Sequence, residues 1–179
     1  MAVTLLTGPV SSGKSRLAAS LAVRWPGPVE LVVTAEAGDE EMRERIERHR
    51  AERPEAWIVH EEPLDLGGAI ASVSGDAFAI VDCLTLWTSN RLGADDDGAI
   101  VVGLAREAAE LAASRAAPTV VVTNEVGWGI VPANDLARAY RDLLGRVNAE
   151  FAARAERAWL VVAGRAMPLP AIDAAELLA

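Results

Sequence analysis

The sequence predicts an α/β fold in which an open, mostly parallel sheet is covered by helices on both faces, giving three layers. Short, mostly apolar runs alternate with helical segments along the chain, and the runs are continuous rather than alternating in polarity, as in a buried parallel strand. A glycine-rich turn joins the first run to the first helix, as in phosphate-binding α/β proteins. The length of 179 residues favours one domain over residues 1–179, with residues 168–179 as a C-terminal tail.

The strands and helices are expected to follow one another with short connections. The expected strands are residues 3–7, 29–33, 57–59, 78–81, 119–123 and 159–163, each a short apolar run. The expected helices are residues 15–23, 39–52, 64–73, 84–92, 100–116 and 134–157, which fill the longer intervals between the strands. Asn134 or Asp135 is expected to cap the last helix.

The first strand leads into Gly8-Pro9-Val10-Ser11-Ser12-Gly13-Lys14-Ser15, which fits the phosphate-loop pattern G-x-x-x-x-G-K-[ST]. Lys14 is the only lysine among 17 basic residues, which indicates a position where an ammonium is chemically required. In such loops the backbone N–H groups bind phosphates, the lysine reaches the β- and γ-phosphates, and the serine hydroxyl binds Mg²⁺. We therefore predict that these eight residues bind a nucleoside triphosphate, with Lys14 catalytic and Ser15 a metal ligand. Pro9 removes one N–H donor from the loop.

The helix after the second strand is strongly charged. Residues 40–53 contain five arginines and five glutamates, as expected of a surface helix with ion pairs. His49 lies at helical spacing from Met42 and Ile46, which places it on the face that carries the apolar residues. A histidine there either packs and forms a hydrogen bond, or attacks an α-phosphate as a nucleophile. The spacing leaves both interpretations open.

Asp82 directly follows the fourth expected strand, at the position where phosphate-loop enzymes place an acidic residue that binds Mg²⁺. The alternative is an aspartate that begins a solvated loop. We favour the metal role because the phosphate loop is present. Cys83 is interpreted as a packed residue, since no basic partner is visible near it in the sequence.

The segment after the fifth strand, residues 124–132, is apolar and contains two glycines and Trp128. It is either a loop that closely approaches a ligand or a buried connection. The helix that follows carries Arg138, Arg141 and Arg146, which form either a solvated face or a polar surface toward a substrate or a neighbouring subunit.

Composition excludes several classes of function. The net charge of −9 argues against non-specific binding to nucleic acid or to an anionic membrane. One cysteine excludes a disulfide framework and a cysteine-rich zinc site. No apolar stretch is long enough to span a membrane, and the first residues do not have the pattern of a signal peptide, so a cytoplasmic location is expected.

The sequence resembles the bifunctional adenosylcobinamide kinase/adenosylcobinamide-phosphate guanylyltransferase family of cobalamin biosynthesis. The resemblance extends from the phosphate loop to Gly164 and is carried by five blocks in order. These are Glu41-Met42-x-x-Arg45-Ile46-x-x-His49-x-x-x-Arg53-Pro54-x-x-Trp57, Glu61-Glu62-Pro63, Asp82-Cys83-Leu84-Thr85-Leu86-Trp87, Asn124-Glu125-Val126-Gly127-x-Gly129-Ile130-Val131-Pro132 and Ala137-Arg138-x-x-Arg141-Asp142-x-x-Gly145-Arg146-x-Asn148.

The resemblance implies two reactions on one RecA-like phosphate-loop domain. First, ATP or GTP phosphorylates the aminopropanol hydroxyl of adenosylcobinamide. Second, GMP is transferred from GTP to that phosphate through a guanylyl-histidine, which gives adenosylcobinamide-GDP and pyrophosphate. The matching histidine is His49. The family also implies Mg²⁺ and a homotrimer.

By the same resemblance, further residues are expected to bind the guanine nucleotide. They are Thr34, Ala35, Glu36, Arg50, Ala51, Glu52, Arg53, Glu61, Glu62 and Asp82, with Asp82 also a metal ligand. The chain departs from the family at Pro9 and Ser11, where the family usually has Gly and Arg, and at His60, which we interpret as structural.

Two other functions compete with this one. A monofunctional phosphate-loop kinase of another small alcohol would use Lys14, Ser15 and Asp82 and leave His49 as a packing residue. A guanine-nucleotide switch is disfavoured because Asn124-Glu125-Val126-Gly127 lacks the Asn-Lys-x-Asp pattern that reads guanine in such switches.

Overall fold

The computed structural model describes residues 3–51, 53–94 and 97–172, which form seven strands and six helices. The strands are β1 Val3–Thr7, β2 Val29–Val33, β3 Ile58–Glu61, β4 Phe78–Asp82, β5 Thr119–Val122, β6 Arg157–Val162 and β7 Arg165–Pro168. The helices are α1 Lys14–Ala22, α2 Glu40–Ala51, α3 Leu66–Ser72, α4 Leu84–Gly93, α5 Gly98–Ser114 and α6 Asp135–Arg154.

All seven strands belong to one sheet, in the order β3-β2-β4-β5-β1-β6-β7. Strands β1 to β6 pair in parallel, and β7 pairs antiparallel with β6 at the sheet edge. Because the parallel strands end at a common edge, the segments that follow β1, β2, β4 and β5 meet there. The predicted α/β fold with a mostly parallel sheet is confirmed.

The two faces of the sheet are covered unequally. Helices α3, α4, α5 and α6 cover one face, where side chains such as Trp87, Val101 and Phe151 pack against the strands and are almost fully buried. On the other face, Ala18 and Ala22 of α1 pack against the strands. Both alanines are fully buried, and their small side chains let α1 lie close to the sheet. Among the described residues, no helix is both long enough and apolar enough to cross a membrane.

Side-chain caps define the starts of three helices. Asp65, Asp97 and Asn134 each accept a hydrogen bond from a backbone N–H in the first turn of α3, α5 and α6, respectively. Asn134 is therefore the cap of the last helix, as one of the two sequence alternatives proposed. These bonds satisfy N–H groups that have no partner within the helix.

The structure differs from the sequence prediction mainly at the C-terminal part of the sheet. Strand β6 begins two residues earlier than expected, and β7 was not predicted. Ala163 and Gly164 join the two strands with φ values of 51° and 74°, which match the two-residue turn favoured in hairpins. Of the expected tail, Pro168 belongs to β7, residues 169–172 lie outside regular structure, and 173–179 lie outside the described residues.

Candidate functional site

The phosphate loop connects β1 to α1 and has an unusual backbone conformation. Gly8, Ser11 and Gly13 have φ values of 143°, 57° and 100°. Gly13 directly precedes the first residue of α1, so the N–H groups that begin the helix face the loop, where phosphates can bind. The loop therefore has the geometry of an anion-binding turn.

Lys14 is folded back over this loop. Its Nζ atom donates hydrogen bonds to the carbonyl oxygens of Gly8 and Pro9, at 3.0 and 2.7 Å, and lies 3.4 Å from Oγ of Ser12. The side chain is only 6% exposed. The ammonium is thus held inside the loop, where it can meet the terminal phosphates of a nucleotide.

The β6–β7 hairpin supports the loop from one side. The N–H of Gly164 donates to the carbonyl of Ser12 at 2.8 Å. A Cβ atom on Gly8 would lie 2.2 Å from the carbonyl oxygen of Val161, so only glycine fits there. Strand β7, which the sequence did not predict, belongs to the hairpin that holds the predicted phosphate loop.

Two cavities meet at the carboxyl edge of the sheet beneath α2. The first, of about 800 Å³, is bordered by residues 10–15 of the phosphate loop and extends to Asn124 after β5. The second, of about 620 Å³, is bordered by the ends of β2 and β3, including Ala35, Glu36 and Glu61. Five residues border both cavities: Ser15, His49, Arg53, Asp82 and Cys83. The arrangement can hold an elongated ligand whose phosphates enter one cavity and whose other end enters the other.

His49 lies at the junction of these cavities. Met42, Ile46, His49 and Arg53 all border the second cavity, so the helix face inferred from their spacing is correct. That face borders open space, and the His49 side chain is half-buried. Among the described residues, no hydrogen-bond partner of the His49 ring is found, which distinguishes it from a histidine fixed by packing.

Charged side chains surround the junction. Arg50 forms an ion pair with Glu61, which joins α2 to the end of β3. Burial lowers the pKa of Arg53, and the nearby carboxylate of Asp82 raises it in part. A guanidinium always remains charged in proteins, so Arg53 supplies positive charge where a polyphosphate would lie.

Mg²⁺ fits the oxygen donors that Ser15 and Asp82 bring to the same place. Among the described residues there is no cluster of three or more His, Cys, Asp or Glu side chains that could hold a metal by itself. Mg²⁺ commonly binds one or two protein oxygens together with substrate phosphates, and a hydroxyl with one carboxylate suits that mode.

Several predicted binding residues have other contacts in this structure. Thr34 is fully buried, and its hydroxyl donates to the carbonyl of Cys83 at 2.7 Å, so it joins β2 to β4. The Glu62 carboxylate accepts bonds from the N–H groups of Leu64 and Asp65 at 2.9 and 2.8 Å. Neither residue borders a cavity, nor does Ala51. Glu52 lies outside the described residues.

Cys83 and His60 are held by their surroundings, as the sequence suggested. Burial, together with the Asp82 carboxylate, raises the pKa of the Cys83 thiol to about 11, so the reactive thiolate is scarce near neutral pH. Nε2 of His60 lies 2.7 Å from a carboxylate oxygen of Glu30 on the neighbouring strand. Both residues have structural roles.

Sequence reasoning missed a polar network beside the phosphate loop. Thr7 donates its hydroxyl proton to the Glu125 carboxylate at 2.8 Å, and the Asn148 amide lies 3.3 Å from the same oxygen. Asn148 also accepts a bond from Thr123 at 2.7 Å. Asn148 is thus buried behind the site and does not lie on a solvated helix face. Glu125 and Asn148 both lie in blocks that carry the family resemblance, but the sequence did not show that they meet.

The segment after β5 proves to be exposed. Trp128 and Ile130 are 69% and 97% exposed, which excludes the alternative of a buried connection. On α6, Arg138 donates to the carbonyl of Pro132 at 2.7 Å and so connects the helix to this segment. Arg141 instead pairs with its neighbour Asp142.

A family model and two curated relatives agree on the family that the chain resembles. A sequence model of the family described as cobinamide kinase / cobinamide phosphate guanyltransferase matches residues 4–169. The chain is 41% identical over 166 residues to the bifunctional adenosylcobalamin biosynthesis protein CobP of Pseudomonas aeruginosa. The aligned residues cover 92% of this chain and 95% of the relative. It is 40% identical over 173 residues to the bifunctional adenosylcobalamin biosynthesis protein CobU of Escherichia coli. Here the aligned residues cover 89% of this chain and 95% of the relative.

A solved structure shares the fold. The RadB recombinase superposes with a TM-score of 0.51 at 17% identity, covering 89% of this chain and 73% of that one. At this identity the likeness concerns the fold alone. It confirms the expected RecA-like phosphate-loop architecture.

Proposed function

The chain belongs to the cobinamide kinase / cobinamide phosphate guanyltransferase family, and from this membership we propose that it performs both reactions at the site described above. It is an enzyme that transfers phosphoryl and nucleotidyl groups. The observation that carries the proposal is the position of His49 between the phosphate-loop cavity and the cavity at the ends of β2 and β3.

In the kinase step, the hydroxyl oxygen of the aminopropanol arm of adenosylcobinamide attacks the γ-phosphorus of ATP or GTP. The bond from that phosphorus to the β–γ bridging oxygen breaks, nucleoside diphosphate leaves, and the hydroxyl proton passes to solvent or a nearby base. Lys14 and the loop N–H groups stabilise charge on the phosphate oxygens. Mg²⁺, held by Ser15 and Asp82, would neutralise phosphate charge when bound.

In the guanylyl step, an unprotonated ring nitrogen of His49 attacks the α-phosphorus of GTP and displaces pyrophosphate. A phosphate oxygen of adenosylcobinamide phosphate then attacks the same phosphorus, breaks the P–N bond and forms adenosylcobinamide-GDP. Arg53, beside His49, is suited to hold the phosphates during the attack.

The second cavity is proposed to hold the guanosine part. Ala35, Glu36 and Glu61 border it, and a carboxylate there can accept hydrogen bonds from the N1–H and amino groups of guanine. Arg50 holds Glu61 through an ion pair. Thr34 and Glu62 would then support the site from behind by fixing the strand ends, since their polar atoms already have protein partners.

Trimeric assembly is proposed from the family resemblance, and the cytoplasmic location expected from the sequence is kept as a proposal. The mass of the protein in solution, measured by light scattering, tests the assembly. A mass other than three times 18.9 kDa would contradict it.

The decisive test is incubation with Mg²⁺ and GTP labelled at the α-phosphate, followed by denaturation. We expect a protein adduct that is stable in base and lost in acid, as for a phosphoramidate. The adduct should be absent from His49→Ala, whereas phosphorylation of adenosylcobinamide by that variant should persist.

His60→Gln serves as the matched control, because it alters the other histidine and can retain a hydrogen bond to Glu30. It should form the adduct as the wild type does. If folded wild-type protein bound GTP without forming an adduct, the guanylyl step would be refuted. A phosphate-loop kinase with a structural His49 would remain.

A further inference from the structure

We propose that the exposed segment of residues 126–136, which lies after β5 and includes the first two residues of α6, binds the corrin ring of the cobinamide acceptor. We call this segment the apolar loop. The proposal rests on the proposed function, because it assigns the acceptor side of the same site.

The apolar loop exposes more large apolar side chains than its length would lead one to expect. Val126, Trp128, Ile130, Val131 and Leu136 are 37%, 69%, 97%, 66% and 67% exposed. Single exposed apolar residues are ordinary, but five within eleven positions form a patch that indicates a binding surface.

The chain just before the apolar loop is bonded to the phosphate loop, and the apolar loop itself is bonded to α6. Before it, the N–H of Glu125 donates to the carbonyl of Gly8 at 3.2 Å, and Asn148 donates to the carbonyl of Asn124 at 3.0 Å. Near its far end, Arg138 donates to the carbonyl of Pro132 at 2.7 Å. The apolar side chains are therefore presented on a segment whose position relative to the phosphate site is fixed.

The acceptor has a chemistry that suits this surface. A corrin is a broad macrocycle with methyl groups and amide arms, and the hydroxyl to be phosphorylated lies at the end of one short arm. That hydroxyl must approach the γ-phosphate near Lys14, so the ring has to rest on the surface beside the phosphate loop. A tryptophan face and branched aliphatic side chains can pack against a large ring, and Trp128 with Ile130 and Val131 offers them.

A second copy of the chain is the competing occupant. Stable protein interfaces bury about 20–30 residues on each side. Five apolar side chains on one short loop fall well below that, so this loop alone would not hold two copies together. Contact with the phosphate loop also favours an occupant that takes part in the reaction.

The test uses the double variant Trp128→Ser/Ile130→Ser in the full-length protein. Val23→Ser is the control, because Val23 is 68% exposed and follows the last residue of α1, at the opposite edge of the sheet. Adenosylcobinamide binding is measured by equilibrium dialysis and its phosphorylation by initial rates. GTP adduct formation and the solution mass are measured on the same samples.

We expect the double variant to raise the Kd and the KM for adenosylcobinamide by about tenfold or more, a factor that corresponds to about 1.4 kcal/mol. The KM for the nucleotide, the adduct formed from GTP alone and the solution mass should stay as in the wild type. Val23→Ser should change none of these.

Unchanged binding of adenosylcobinamide to the double variant would overturn the proposal, as would an equal effect of Val23→Ser. A smaller solution mass would identify a second copy as the occupant and would overturn it as well. A wild type that binds adenosylcobinamide without phosphorylating it would refute the proposed function and leave the loop assignment to be judged by the Kd values. A wild type that does not bind adenosylcobinamide would refute both.

Discussion

His49 and His60 show how surroundings decide what a residue can do. His60 lies on β3 and faces the carboxylate of Glu30 at 2.7 Å, so one ring nitrogen is engaged within the protein. His49 faces two cavities and has no hydrogen-bond partner among the described residues. Only His49 has a ring that an incoming phosphorus atom can reach. Helical spacing predicted the face of His49 correctly, but spacing could not show that this face borders a cavity.

Glu30 provides a prediction about pH. Burial acts to raise its pKa, but hydrogen bonds from Ser74 and His60 outweigh burial and hold the pKa below the ordinary value of 4.5. A carboxyl whose pKa is lower in the folded state stabilises the protein above its unfolded pKa, and that contribution is lost as the pH falls through the folded pKa. The wild type therefore loses this stabilisation in acid.

We expect Glu30→Gln to lower the free energy of unfolding at pH 7 by about 2 kcal/mol, because a charge-assisted hydrogen bond is lost. The difference between variant and wild type should shrink as the pH falls below 4.5, the ordinary pKa of a glutamate side chain. Urea unfolding of both proteins at pH 7 and at pH 3.5 measures it. A difference that is the same at both pH values would contradict the assigned ionisation of Glu30.

The candidate site was only partly predictable, because some of its contacts join residues that are far apart in the sequence. Lys14, Ser15 and Asp82 are identified by local patterns, since each follows directly from a strand or a glycine-rich turn. The bond from Thr7 to Glu125 joins residues 118 positions apart, and no local pattern records it. Thr34 shows the converse, because the family resemblance suggested ligand binding while its hydroxyl donates to the carbonyl of Cys83.

At the level of elements, the hairpin of β6 and β7 explains why the phosphate loop keeps its shape. Most of the fold followed from continuous apolar runs, and β1 and β2 have the expected bounds. Strand β7 escaped prediction because it is four residues long, is exposed throughout and contains a proline, so it shows no apolar periodicity. Proline is tolerated there because β7 is an edge strand.

The close contact between Gly8 and β6 gives a prediction for this element. In Gly8→Ala the new Cβ atom would lie 2.2 Å from the carbonyl oxygen of Val161, and the φ value of +143° disfavours any side chain. We expect the loop to shift and the Kd for GTP with Mg²⁺ to rise about tenfold or more, measured by titration calorimetry.

Gly75→Ala is the matched control, because an added Cβ there would meet nothing within 4 Å. It should leave the Kd for GTP unchanged. If Gly8→Ala bound GTP as tightly as the wild type, the hairpin would not be what fixes the conformation of the phosphate loop.

Across the whole molecule, the helix that buries many core side chains differs from the helix that carries His49. Helix α5 buries six side chains in the core between the sheet and α3, α4 and α6. None of the described side chains of α2 is buried, although α2 carries His49. The helix that bears the proposed nucleophile is therefore the one held by the fewest apolar contacts, and ligand contacts should add much of what holds it in place.

This division predicts how amide hydrogen exchange responds to ligands. In the protein without ligand, amides of residues 40–51 should exchange faster than those of residues 98–114, because α2 has no buried side chain among those described. GTP with Mg²⁺ should slow exchange in α2 about tenfold or more, since the nucleotide would connect Arg50 and Arg53 to the strand ends.

Pyrophosphate with Mg²⁺ is the matched ligand, because it can fill the phosphate-loop cavity without reaching the cavity bordered by Glu36 and Glu61. It should slow exchange in residues 8–15 while leaving most of α2 unprotected. Equal protection of α2 by both ligands would mean that phosphate contacts alone hold the helix, and the second cavity would then have no part in placing His49.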